Sequence, residues 1–336
     1  MIQEAIKKAI KGSDLTREEA RMAMETIMSG EATDAQIGAF LVAMRLKGET
    51  VEEIASFTGV MREKATRIDA GSKDVVDTCG TGGDGSGTFN ISTISAFVAA
   101  GAGISVAKHG NRSVSSKCGS ADVLRELGIN IDITPDRVSE CLKTTGIAFL
   151  FAPLLHASMK YAIGPRRELG IRTFFNILGP MTNPAGAKRQ LMGVYSEELV
   201  ETVAGVLANL GSERAFVVHG SDGLDEITTT DETIVAEVKN GSVSVYTINP
   251  QDYGITAASL EDLKVHDIAG NTETFMGILS GDSGPKRDIV LLNSAFAICA
   301  GGAADSAEEG LRLAKDSIDS GAAMQKFEAL KEFTNR

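Results

Sequence analysis

Asp77-Thr78-Cys79-Gly80-Thr81-Gly82-Gly83-Asp84-Gly85-Ser86-Gly87 follows the apolar pair Val75-Val76 and leads to Asn90, Ser92 and Thr93. The pair before it reads as a buried strand. The stretch after it reads as a helix starting near Thr93, with Ser92 as its cap. Residues without a Cβ let the backbone approach a ligand and adopt positive φ, so successive amides can face phosphate oxygens. A helix N-terminus just beyond also favours an anion. Strand, glycine loop and helix in that order form the opening of an α/β domain.

Outward from this loop the alternation continues. Residues 104–107, 147–151, 191–195 and 215–218 read as buried strands, with helical stretches at 120–127, 135–144 and 197–210 between them. Such alternation predicts a mostly parallel sheet flanked by helices. Asn240-Gly241 lies between two further apolar runs and signals a hairpin, so one end of the sheet should be mixed. Residues 85–107 carry no charge, but their serines, glycines and Asn90 suit a loop, helix and strand in series better than a membrane span.

Toward the N-terminus the rhythm is helical only. Thr16, Thr33 and Thr50 are each followed three residues later by Glu19, Gln36 and Glu53, three capping boxes. Gly30 and Gly48 stand where left-handed helix caps are wanted. The expected organisation is a helical domain over residues 1–70 and an α/β domain over 71–336. The Pro- and Gly-rich stretch 164–187 is expected to cross back to the helical part.

Gly80, Gly82 and Gly85 also fit the dinucleotide pattern GxGxxG. That site needs a helix starting inside the glycines and an acidic residue ending the next strand. Here the helix is delayed, and the next strand runs into Lys108-His109-Gly110-Asn111-Arg112, which is basic. A nicotinamide cofactor is disfavoured, and phosphate binding is favoured over a purely structural turn. Lys108 and Arg112, with Ser113, Ser115, Ser116 and Lys117 and a helix opening at Gly119-Ser120, supply charge-assisted donors and helix-end amides.

The 336 residues are 43% hydrophobic and 23% charged, ordinary for a globular protein. A net charge of −12 argues against nucleic acid or an anionic membrane as the main partner. The four cysteines form no CxxC pair and read as reduced thiols of a cytoplasmic protein. The segment after Met1 carries Glu4, Lys7, Lys8 and Lys11 and does not read as a signal peptide.

Several blocks, taken together and in order, resemble the anthranilate phosphoribosyltransferase family. They include Gly80-Thr81-Gly82-Gly83-Asp84, Asn90-Ile91-Ser92-Thr93, residues 108–112 and residues 115–122. Further blocks are Phe151-Ala152-Pro153, His156, Met159, residues 168–173, residues 175–180, Asn183-Pro184-Ala185 and residues 219–226. The likeness covers nearly the whole chain. Cys118 stands where a serine is common, Ile163-Gly164-Pro165 precede Arg166, and Leu154-Leu155 replace a more polar pair before His156.

The resemblance implies a helical domain hinged to an α/β domain, a homodimer formed through the helical domain, and two magnesium ions. It implies phosphoribosyl pyrophosphate (PRPP) and anthranilate as substrates. By position, Gly80, Gly82, Gly83, Asp84, Thr88, Asn90, Ile91, Ser92 and Thr93 would hold the pyrophosphate end. Lys108, His109, Gly110, Asn111, Arg112, Ser113, Val114, Ser115, Ser116 and Ser120 would meet the phosphoribosyl group and its phosphates. Ser92, Asp225 and Glu226 would serve magnesium. Gly80, His109, Asn111, His156 and Arg166 would lie along the anthranilate path.

The chemistry of these residues is compatible with those roles. Adjacent carboxylates after a strand suit Mg2+, which takes hard oxygen ligands, although a solvated loop reads the same way. Arg166 or Arg167 could pair with a carboxylate, and the two histidines could simply pack. No general base is assigned, because an aromatic amine is weakly basic. A pyrimidine nucleoside phosphorylase shares the implied fold, but its lysine-serine glycine loop is missing here. A nucleic-acid-binding paralogue is disfavoured by the intact glycine and Asp-Glu motifs and by the net charge.

Overall fold

The structure is a computed structural model and describes residues 2–71, 74–112 and 118–336. Four helices come first: α1 (Ile2–Ile10), α2 (Arg17–Met28), α3 (Asp34–Lys47) and α4 (Val51–Lys64). All three capping boxes form, each threonine accepting the N–H of its partner three residues on while that side chain accepts the threonine N–H. Gly30 and Gly48 end α2 and α3 at φ +77° and +83°. Glu53, fully buried, also accepts from Leu15 N and Lys47 Nζ, each at 2.8 Å, and so ties three segments of the bundle together.

The sheet has seven strands: β1 (Val76–Gly80), β2 (Val106–Gly110), β3 (Ile147–Phe151), β4 (Arg189–Gly193), β5 (Arg214–Gly220), β6 (Thr233–Lys239) and β7 (Ser242–Ile248). Their spatial order is β3-β2-β1-β4-β5-β6-β7. The pairings among β3, β2, β1, β4 and β5 are parallel, and β6 and β7 are antiparallel additions. The hairpin turns at Asn240-Gly241, both at positive φ, as its sequence demands.

Between strands run α5 (Ile91–Gly101), α6 (Ser120–Glu126), α7 (Pro135–Thr145), α8 (Ala152–Leu155), α9 (Lys160–Leu169), α10 (Phe175–Met181) and α11 (Glu198–Asn209). The chain closes with α12 (Leu260–Leu263), α13 (Ile268–Leu279), α14 (Pro285–Gly301), α15 (Ala307–Asp319) and α16 (Ala322–Thr334). No described helix is long and apolar enough to cross a membrane.

Side chains alternate across the sheet and feed two cores. Along β5, Phe216 and Val218 join the core of α5 and the C-terminal helices, while Ala215 and Val217 join the core that continues into the N-terminal bundle. The stretch 164–187 reaches that bundle as helices, which its glycines and prolines did not announce. Phe174, just before α10, stacks on Phe57 with ring centroids 4.5 Å apart and meets Phe40 at 6.0 Å.

One local expectation is corrected. The helix after the glycine loop starts at Ile91, with Asn90 in the cap position and no side-chain capping bond. The Asn90 N–H and Nδ2 both donate to Asn271 Oδ1 at 3.1 Å. Ser92 lies inside the first turn, and its N–H is directed to Glu226.

Candidate functional site

Parallel strands reverse direction of spread between β1 and β4, and ligands of open α/β sheets sit at the carboxyl ends of such a switch point. β1 ends at Gly80, which pairs with Gly193 at the end of β4. A Cβ at Gly80 would stand 2.4 Å from Asp225 Oδ2, and one at Gly193 would stand 1.6 Å from the Asp225 carbonyl oxygen. Both glycines are therefore required by the loop after β5, which lies directly over the two strand ends. Gly82 and Gly83 follow at φ +66° and +80°, and the Gly82 N–H donates to Asp225 Oδ2 at 2.7 Å.

In this loop Asp225 is buried and its neighbour Glu226 is half-buried. Burial, then the charge of Asp84, push the Asp225 carboxyl up to about 7. Burial, then Asp225 itself, push Glu226 well above the ordinary carboxylate range. Glu226 Oε1 accepts the Ser92 N–H at 3.2 Å. Ser92, Asp225 and Glu226 are thus brought together, with Asp84 near enough to be felt.

Lys108 is 4% exposed and lies beneath this group on β2. Its Nζ donates to the Thr78 carbonyl and to Ser92 Oγ, the latter at 3.3 Å. Burial lowers its affinity for a proton, and Asp77 and Glu226 oppose that shift. Asp77, fully buried and pushed up to about 6 by burial, accepts from His109 N at 3.0 Å and Asn183 Nδ2 at 2.8 Å. The single ammonium faces several carboxylates, so the cluster is short of positive charge.

An all-oxygen donor set lacking positive charge fits a hard divalent cation such as Mg2+. Among the described residues no three or more His, Cys, Asp or Glu side chains converge as a closed metal cage. Such a set suits an ion that keeps water and takes further oxygens from a phosphate ligand.

The other expected residues surround this centre. Ser86 Oγ donates to Asp84 Oδ2 at 2.6 Å and lies 3.1 Å from Thr88 Oγ1. Ile91 and Thr93 turn their side chains into the core, and Thr93 Oγ1 has no hydrogen-bond partner among the described residues. Gly110 leaves no space for a side chain against Phe149 and Ser120. The Asn111 carbonyl accepts from Ser120 Oγ at 3.3 Å, and the Arg112 guanidinium lies 5.7 Å from the Phe151 ring centroid. Ser113, Val114, Ser115 and Ser116 lie outside the described residues.

His109 and His156 meet through their Nε2 atoms at 3.1 Å. Burial holds both well below the ordinary histidine value, at about 3 and about 4. Two neutral rings in contact need one Nε2 to donate and the other to accept. Arg166 stands 5.1 Å over the Phe175 ring, with its proton affinity lowered by burial.

Five contacts were missed by reading the sequence. Asn271 holds Asn90, Asp77 and Asn183 brace β2, and Arg172 donates to the Gly83 carbonyl while lying 4.1 Å over the Tyr195 ring. Asn271 and Tyr195 are far in sequence from the loop they hold and belong to no motif. Asp77 and Arg172 stood inside quoted blocks without a role.

The family model described as glycosyl transferase family, a/b domain, matches residues 72–324, and the one described as its helical bundle domain matches residues 3–65. A curated anthranilate phosphoribosyltransferase of Acetivibrio thermocellus is 55% identical, across 100% of this chain and 97% of that protein. The crystal structure of anthranilate phosphoribosyltransferase from Thermus thermophilus superposes with a TM-score of 0.94 at 40% identity, covering 99% of both chains. The Saccharomyces cerevisiae enzyme in complex with PRPP and Mg gives a TM-score of 0.90 at 28% identity, covering 99% of this chain and 98% of that one. With full-length identity above half and the same two-part fold, this chain belongs to the anthranilate phosphoribosyltransferase family.

Proposed function

We propose that the protein transfers the 5-phosphoribosyl group of PRPP to the amine of anthranilate. The products are N-(5-phosphoribosyl)anthranilate and pyrophosphate, the second step of tryptophan biosynthesis from chorismate. The observation that carries this reading is the glycine loop bound to Asp225 above a buried Lys108 at the sheet's switch point. Full-length kinship with enzymes of that name supports it.

In this reading Gly80, Gly82, Gly83, Asp84, Thr88, Asn90 and Ser92 receive the pyrophosphate end. Ile91 and Thr93 contribute backbone only, since their side chains are buried. Lys108, His109, Gly110, Asn111, Arg112 and Ser120, with residues 113–116, take the phosphoribosyl part. His109, His156, Arg166, Asn111 and Gly80 guide anthranilate, whose carboxylate suits a planar guanidinium.

Displacement at the ribose C1 passes through an oxocarbenium-like state, so the leaving group's charge must be met and the amine held in line. Asp225, Glu226 and Ser92, with Asp84, would hold two magnesium ions per subunit, which supply charge neutralisation on the pyrophosphate when bound. The loop amides bind the phosphate oxygens. The neutral histidine pair presents nitrogen donors and acceptors without adding charge near the developing cation, and needs to act only as a guide for the amine.

We further propose that residues 1–70 with part of 164–187 form one body, that 71–336 supply the other, and that their closure excludes water. A homodimer through the helical part and a cytoplasmic location complete the reading. Ile10 and Leu46, both strongly exposed on that part, are available for such a contact. Mass spectrometry of a mixture of protein, PRPP, Mg2+ and anthranilate tests the reaction. It should show the phosphoribosyl adduct and equimolar pyrophosphate, and neither appears if the reading is wrong.

A further inference from the structure

Arg172 has no substrate role in the reading above, yet it holds the glycine loop. It lies on the connector between α9 and α10 and donates to the Gly83 carbonyl, with its guanidinium stacked 4.1 Å over the Tyr195 ring. The Tyr195 N–H in turn donates to Thr81 Oγ1 at 3.0 Å, and the Gly82 N–H to Asp225 at 2.7 Å. Three consecutive loop residues are therefore each fixed by a different part of the chain. The Thr81 N–H also donates to the Gly193 carbonyl at 3.0 Å, whereas a Cβ at Gly82 would find no neighbour within 4 Å.

In a planar trans peptide the carbonyl and the following N–H point in opposite directions. Fixing the Gly83 carbonyl therefore fixes the direction of the Asp84 N–H. Glycine-rich backbone otherwise loses more freedom on ordering than any other, and binding must supply that cost.

We propose that Arg172, seated on Tyr195, is a positioning residue that presets the peptide between Gly83 and Asp84 for the pyrophosphate of PRPP. The proposal rests on the assigned reaction. It concerns affinity for the donor substrate, and leaves the bond-changing step and the acceptor untouched. The platform is the ring of Tyr195, so its hydroxyl should not matter.

The test is steady-state kinetics of Arg172→Ala, Tyr195→Leu and Tyr195→Phe, with thermal denaturation of each. Loss of one such hydrogen bond should raise KM for PRPP about tenfold in Arg172→Ala and Tyr195→Leu. KM for anthranilate and kcat should stay near the parent values, and Tyr195→Phe should behave as the parent. Added guanidinium at low, non-denaturing concentration should restore part of the donor affinity of Arg172→Ala. An unchanged KM for PRPP in Arg172→Ala overturns the proposal. So does an equal rise for both substrates accompanied by a lowered melting temperature, and so does a Tyr195→Phe variant as damaged as Tyr195→Leu. A parent protein that consumes no PRPP removes the underlying reading instead, and the same assay shows it.

Discussion

Asp225 Oδ2 accepts the N–H of Gly82 at 2.7 Å, joining the loop after β5 to the loop after β1 across the ends of β1 and β4. This bond places a buried carboxylate beside the backbone assigned to pyrophosphate. Because burial and Asp84 both disfavour its charged form, the protein alone gains little from ionising it. Changing Asp225→Asn together with Glu226→Gln should lower magnesium-dependent kcat/KM by at least about a hundredfold, since metal-borne charge stabilisation is worth several kcal/mol. The metal-free variant should melt at or above the parent temperature, as strained functional groups often cost stability. Calorimetry and turnover checked side by side separate these two effects.

Gly193→Ala places a methyl group into the Asp225 backbone, where the Cβ would lie 1.6 Å from the carbonyl oxygen. The loop after β5 has to move. Turnover should fall sharply with a lowered melting temperature, whereas Gly12→Ala, at a helix end with no neighbour within 4 Å, should lose no activity. Equal activity in the two variants would show that the loop does not need its seat on β4.

The histidine pair predicts a pH dependence of stability. The His109 and His156 rings titrate at about 3 and about 4 when folded, below the ordinary 6.5. The unfolded chain takes up these protons first, so their contribution is present above about pH 6.5 and is lost as pH falls through about 4 for His156 and about 3 for His109. Urea titrations across that window should show a shallower acid loss for His156→Asn than for the parent. An identical slope would mean that the ring is not held neutral.

Phe174 fills the space between Phe40 and Phe57 and is 2% exposed. Phe174→Ala should cost about 3–5 kcal/mol in urea unfolding. A loss below about 1 kcal/mol would mean that the connector does not share the core of the bundle.

The capping boxes, the hairpin turn and the strand-helix alternation were legible because each is set by residues close in sequence. The glycine loop and Asp225-Glu226 were legible as motifs, but their contact spans 143 positions and only the strand order makes it. The helices at 160–169 and 175–181 were hidden because Pro165, Gly179 and Pro180 read as breakers, while burial of Phe174, Ile177, Leu178 and Met181 outweighs that local cost. Ser92 read as a cap because a serine hydroxyl is a favoured acceptor at that position. Its N–H is claimed by Glu226, and the helix begins one residue earlier than Ser92.

The most direct test follows anthranilate fluorescence in a mixture of the protein, PRPP and Mg2+. The account predicts that fluorescence falls only when all components are present, and that it falls at least about a hundredfold more slowly with Asp225→Asn/Glu226→Gln. Constant fluorescence with the parent protein, accompanied by phosphate-dependent cleavage of thymidine, would contradict it.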